Sequence, residues 1–360
     1  MMKVLSVIDS FKGTITSKRL GQITKEELEK KGIECKYLSI SDGGEGFLDA
    51  ISNNLKLDEI IVTVNNPLFK KIEARYLSDN LKTAYVELAE SSGISLLTKD
   101  ELNPYIASTY GLGEVILDAI KKGHKKIVVG IGGSATNDGG SGMLEALGCK
   151  FYNNDKIITR ISNNKFKQIT RIDDSVLNEN IAGIEFVVIS DVSNPLLGEK
   201  GATYVFSRQK GAKNEDLEIL ESNMKHYGLF KKDYLEYPGA GAAGGVGFAL
   251  QAYFKAKFYP GIDYILESID FDNLIKEYDY IITGEGKVDN QSFLGKVVFR
   301  IAEKAKNKKV IIVCALSEVS SSIPNNIIGI YNIVKNNITS EMSMKEPEKY
   351  YRLLINEIKF

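Results

Sequence analysis

The stretch Tyr280-Ile281-Ile282-Thr283-Gly284-Glu285-Gly286 reads as an apolar strand entering a loop of glycine and acid, and its continuation decides the fold. The pattern predicts a helix from about Leu294 to Lys306, a turn at Asn307-Lys308-Lys309 and a second strand from Val310 to Ala315. Strand, helix and strand in that order make a crossover. Such a connection requires parallel strands, a right-handed path and a helix lying on the sheet.

The same grammar recurs outward from this unit. Val4 to Ile8 is a short strand running into Asp9-Ser10-Phe11-Lys12-Gly13. Leu20, Ile23 and Leu28 then recur at near-helical spacing, in a helix expected to end near Gly32. Tyr37 to Ile40 is the next strand, followed by Ser41-Asp42-Gly43-Gly44-Glu45-Gly46. In the middle of the chain Leu112, Val115, Ile116 and Ala119 mark one helix face, with Ser108 or Thr109 as N-cap and Gly123 just past the end. Ile127 to Ile131 is a buried strand leading through a glycine-rich loop to a helix ending near Gly148, and Phe186 to Ile189 leads into Ser190-Asp191-Val192-Ser193-Asn194-Pro195. The class is α/β.

At 360 residues the chain is long enough for about two domains. Segments 61–104 and 151–234 have more polar loops and broken periodicity. The expected organisation is a discontinuous Rossmann-like parallel-sheet domain over 1–60, 105–150 and 235–360. A second α/β domain, made of 61–104 and 151–234, is inserted into it.

Composition narrows the function. Lys plus Arg is 46 and Asp plus Glu is 47, so no basic surplus exists to hold a nucleic acid. The longest apolar runs, such as Val310 to Leu316, fall far short of the roughly 20 residues of a membrane span. No signal-peptide pattern opens the chain, and a cytoplasmic location is expected. Cys35, Cys149 and Cys314 are spaced for neither a disulfide framework nor a zinc site, and are expected as buried reduced thiols. His124 and His226, the only two histidines, lack ligand-spaced neighbours and are expected to be structural. No Gly-x-Ser-x-Gly elbow is present.

Half of the 32 glycines fall in four windows: 43–46, 130–142, 239–247 and 284–286. At strand-to-helix junctions such loops present backbone N–H groups to anions, and four of them point to a shared polar cleft. Gly130 to Ala135 fits G-x-G-x-x-A and Gly239 to Gly244 fits G-x-G-x-x-G, but neither has the flanking strand, helix and ribose-binding acid of a dinucleotide site. There is no Walker A loop, since Gly295-Lys296 is followed by Val297. Asp9, Asp42, Asp138, Asp191 and Glu285 each fall at or just past a predicted strand end, the edge where open α/β sheets bind ligands. Acids there either ligate Mg²⁺ and accept protons or simply cap the next helix. Lys12 and Lys296 supply point charges for phosphate or carboxylate groups. Amides, lysines and acids in this combination suit phosphoryl transfer, where the protein mostly positions groups and stabilises charge.

Five stretches together resemble the type I family of bacterial glycerate kinases: Asp9 to Gly13, Ser41 to Gly46, Gly130 to Gly140, Pro238 to Gly245, and Ile282 to Lys296. Weaker likenesses lie at Asp191 to Leu196 and Phe206 to Ala212. The resemblance implies two α/β domains and an ATP- and Mg²⁺-dependent kinase of D-glycerate, usually forming 2-phosphoglycerate. On that basis Asp191 or Asp42 is expected beside the glycerate hydroxyl, with Lys12 neutralising carboxylate or transferring phosphate. Gly132, Gly133, Ser134, Thr136, Gly241, Gly244, Gly245 and Lys296 are expected on phosphates. Asp9, Ser10, Asn137 and Asp138 are expected on substrate, and Glu285 with Asp289 on Mg²⁺. The chain departs from the family pattern at Asn65-Asn66-Pro67-Leu68-Phe69 (often Thr-Gly-Pro-Leu-Gly), at Ala107-Ser108-Thr109 and at Ala315-Leu316. Rival readings are a kinase forming 3-phosphoglycerate or acting on another small hydroxy acid, an NAD(P)-dependent hydroxy-acid dehydrogenase, and a non-catalytic hydroxy-acid sensor. Oligomeric state has no signature in the sequence.

Overall fold

The structure is a computed structural model that describes the chain except residues 12, 42, 45, 81, 294–296, 321, 322 and 336, and the side chains of 291 and 293. In chain order the strands are β1 Lys3–Ile8, β2 Glu34–Ser39, β3 Asp58–Asn65, β4 Lys71–Ser78, β5 Thr83–Glu87, β6 Lys126–Gly130 and β7 Lys150–Asn153. They continue with β8 Lys156–Ile158, β9 Arg171–Asp173, β10 Glu185–Ile189, β11 Lys257–Tyr259, β12 Tyr280–Asp289, β13 Lys309–Glu318 and β14 Ile327–Asn332.

Two compact units divide the chain. The first comprises Met1–Ser41, Asp49–Lys56 and Gly261–Phe360, and the second Asp42–Leu48 and Leu57–Pro260. The first unit holds a sheet of order β14-β13-β12-β1-β2, parallel throughout. Its central strands are apolar on both faces, as a sheet covered by helices on each side demands: Val4, Leu5, Val7 and Ile8 of β1 are buried in succession. The helix Ser17–Glu29 starts at Thr16, whose hydroxyl accepts from the Arg19 N–H, and turns Leu20, Ile23 and Leu28 into the core. That core also takes Tyr351, Leu354 and Ile355 from the helix Pro347–Glu357.

The second unit holds a sheet of order β11-β10-β6-β5-β4-β3. It is parallel from β11 to β5 and antiparallel at β4 and β3. A small antiparallel sheet, β8-β7-β9, belongs to the same unit. The helix Tyr110–Lys121 buries Leu112, Val115, Ile116 and Ala119 as the spacing predicts, and Gly123 follows it at φ 96°.

The α/β class and the strand-to-helix order agree with the sequence, but the partition differs. Residues 105–150 and 235–260 do not join the N-terminal sheet. β6 pairs with β5 and β10, and β11 pairs with β10, so 57–260 packs as one body. The reason is that both sheets use the same local alternation, and which sheet a strand joins is set by pairing distant in sequence. His124, buried, bonds the Ala119 carbonyl through Nδ1 and the Ser78 hydroxyl through Nε2, a structural role. All three cysteines are buried and free, and burial pushes each thiol up to about 12.

Candidate active site

In the second unit four parallel strands end in register. Glu87 lies opposite Gly130, Gly130 opposite Ile189, and Ile189 opposite Tyr259. Their outgoing loops therefore start from one edge, the ligand-binding edge of an open α/β sheet. The loop after β6 is held by its neighbours' backbones. The Gly132 N–H donates to the Gly43 carbonyl at 3.0 Å, Ala135 N–H to Ser92 at 2.9 Å, and Ile94 N–H to Gly133 at 2.8 Å. A Cβ on Gly132 would lie 2.3 Å from the Gly44 Cα, so only glycine permits this approach. Glu87 fastens the same region: its buried carboxylate accepts from the N–H groups of Gly46 and Leu48 at 2.9 and 3.0 Å.

Asp138 sits at the centre of the loop and is fully buried. Its carboxylate accepts from the Thr109 N–H at 2.7 Å, the Thr109 hydroxyl at 2.8 Å, the Gly140 N–H at 3.1 Å and the Gly142 N–H at 3.2 Å. Burial pushes the carboxyl up, against the opposite pull of these donors. Asp138 was expected on substrate; the structure turns it inward as a brace between the loop and the start of the helix Tyr110–Lys121. Asn137 is fully buried as well, with its amide nitrogen 3.4 Å from the Thr203 hydroxyl. The second glycine window backs onto this loop: the Gly139 N–H donates to the Gly244 carbonyl at 2.9 Å. A Cβ on Gly244 would fall 2.0 Å from the Thr136 carbonyl oxygen. The Gly241 N–H donates to Asn194 at 2.9 Å. The amides of Gly132 and Gly241, expected on phosphates, are thus engaged within the protein. Gly133 and Gly245 both have positive φ, and Gly245 packs against Gly139.

Lys210 is the residue that sequence reasoning missed. It lies on the short turn Arg208–Lys210 and is 2% exposed. Its amine donates at 2.7 Å to both the Ser134 hydroxyl and the Thr136 carbonyl. Burial pulls it down to about 7, although the Asp138 carboxylate acts the other way. Its stretch was noted only as a weak likeness, because a lysine in a polar segment ordinarily marks a solvated face. Asp191, by contrast, is exposed two residues beyond β10, on a turn where the Val192 N–H donates to the Ser190 hydroxyl.

In the first unit Asp9 follows β1, donates its N–H to the Gly284 carbonyl at 2.9 Å and accepts the Ser10 N–H at 2.7 Å. Glu285 was expected on a loop, but β12 continues to Asp289 and pairs with β13 as far as Asp289 opposite Glu318. Glu285 and Asp289 are four residues apart on one strand, about 13 Å along it, which is too far to share one ion. Asp289 also closes a turn with Ser292, accepting its N–H at 3.3 Å and donating to its hydroxyl at 3.1 Å. Among the described residues no group of three or more His, Cys, Asp or Glu is placed to hold a metal ion. Lys12, Asp42 and Lys296 lie outside the described residues.

The parallel sheets with glycine loops at the strand ends define an α/β protein of the open-sheet class. The glycerate kinase family pattern matches residues 4–359. A glycerate kinase of Bacillus cereus is 35% identical over 99% of this chain and 97% of its own length. A glycerate 2-kinase of Escherichia coli is 35% identical over 85% and 82%. The crystal structure described as glycerate kinase 2 from Salmonella typhimurium LT2 superposes with a TM-score of 0.82 at 30% identity, covering 98% of this chain and 96% of that one. The chain belongs to the glycerate kinase family.

Proposed function

We propose that the chain transfers the γ-phosphoryl group of ATP, delivered as its Mg²⁺ complex, to the 2-hydroxyl of D-glycerate, forming 2-phosphoglycerate in the cytoplasm. Phosphorylation of glycerate goes with the family. The choice of the 2-hydroxyl rests on the likeness to the glycerate 2-kinase of Escherichia coli. No helix among the described residues is long and apolar enough to cross a membrane.

The observation that carries the reading is the family match over 4–359, together with the common edge at which β5, β6, β10 and β11 end. Asp191, exposed beyond β10, is our candidate to accept the proton of the attacking hydroxyl. The loop from Gly133 to Thr136 is our candidate to support the phosphate. Glu285 and Asp289 do not fit as a joint Mg²⁺ site. Mg²⁺ bound to substrate phosphates needs only one or two protein carboxylates, and we derive no step through it. The test is product NMR after incubation with Mg-ATP and D-glycerate. A signal for 2-phosphoglycerate is expected. 3-Phosphoglycerate would move the attack to the other hydroxyl, and no product from folded protein would overturn the reading.

A further inference from the structure

We propose that Lys210 is a positioning residue for phosphoryl transfer: from inside the second unit, its amine ties the Ser134 hydroxyl to the Thr136 carbonyl and fixes the turn of the loop after β6. The functional half of this inference rests on the proposed role of that loop; the positioning half rests on geometry alone.

Lysine is almost never fully buried, because its amine needs hydrogen-bonding partners and its charge needs a counterion. Among the described residues no carboxylate lies within ion-pair distance of Lys210, so a buried salt bridge does not explain it. Both acceptors instead belong to one loop, 76 and 74 residues away in sequence. A purely space-filling role would be served by methionine or leucine without the desolvation penalty. The surroundings are also polar beyond what packing needs. The hydroxyls of Thr136 and Ser207 and the side-chain oxygen of Asn137 are buried with no hydrogen-bond partner among the described residues.

The backbone that delivers the amine is itself fixed. The Ser207 carbonyl accepts from both Lys210 at 3.0 Å and Ala212 at 3.1 Å. Gly211 follows at φ 97°, where a Cβ would meet the Leu102 carbonyl oxygen at 2.4 Å. Lys210 therefore enters the loop from a turn that cannot swing, and a displaced amine would release Ser134 and Thr136 together.

The test combines kinetics with amide hydrogen exchange on K210M, S134A and the double variant. K210M is expected to lower kcat at least 100-fold while KM for glycerate stays within about threefold, and to speed exchange over residues 133–137. S134A is expected to lose less, and the double variant to be no slower than K210M, since both break one linkage. A folded K210M with kcat within threefold of the parent would overturn the proposal, as would multiplicative losses or unchanged loop exchange. Should K210M fail to fold, G211A displaces the amine without removing it, and unaltered kcat in that variant would be equally decisive. If the parent protein makes no phosphoglycerate, the kinase reading falls while the exchange measurement still decides the positioning role.

Discussion

At the edge of the six-stranded sheet, Glu87 and Asp138 are turned inward and hold loop backbone distant in sequence, Glu87 at Gly46 and Leu48 and Asp138 at Thr109, with Asp138 also closing on Gly140 and Gly142. At the matching edge of the five-stranded sheet, Asp9 and Asp289 accept from residues one and three positions away. A bond to a donor one to three positions away closes a turn and ties no distant segment in place. A buried carboxylate with four donors leaves several N–H groups without partners when removed, and the penalty is large. Acids at equivalent points of two similar sheets therefore do different work, and strand-end position alone does not separate them.

The largest expected effect concerns the exposed acid. Asp191→Ala should lower kcat by about 10³-fold, the middle of the range for a positioned general base, in a variant that still folds. Retained turnover, measured by coupled assay, would remove Asp191 from the mechanism. Next, Asp138→Ala should destabilise the protein by about 3 kcal/mol in urea unfolding, because three backbone N–H groups lose their acceptor, whereas Asp289→Ala, at a half-buried position, should cost less. Equal costs would break the contrast between the two edges.

A smaller loss is expected for Gly132→Ala, about 2 kcal/mol from overpacking against Gly44, read by the same unfolding curves. The pH dependence sharpens the comparison. Lys210 is pulled to about 7 from an ordinary value near 10.5, so between those values the unfolded chain holds more protons than the folded one. Stability carried by this group therefore rises with pH across that window, and K210M should flatten the rise. Glu27, in the first unit, gives a rise of the same sign in a lower window, caused by partners rather than by burial. The Lys30 ammonium, with Asn356 and Arg352, holds it at about 2, below the ordinary 4.5. Its stabilisation is complete above pH 4.5 and lost as pH falls towards 2, and Glu27→Gln should remove that part of the acid transition.

Much of the frame was legible. Val4 to Ile8 and Phe186 to Ile189 lie within observed strands, and the run Ile127 to Ile131 does so up to Gly130, because continuous apolar runs suit strands buried on both faces. Glycine and acid after Thr283 signal a loop in the sequence, but pairing with β13 carries the strand from Tyr280 on to Asp289. Phe69 shows a departure with a physical cost. Where the family often has glycine, it holds φ 62°, with its ring 5.6 Å from the ring of Tyr110 and 5.1 Å from the Arg160 guanidinium.

The sequence by itself determined the α/β class, the strand-to-helix units, the glycine windows and the likeness to one family of kinases. These are encoded in neighbours along the chain, by period, turn chemistry and motif. Only the tertiary structure decided which sheet β6 and β11 join, that Asp138 is a brace, that Glu285 and Asp289 are strung out along a strand, and that Lys210 reaches the glycine loop. Each of these depends on contacts between residues tens to hundreds of positions apart, where burial and partnership, not residue type, set what a charged side chain does.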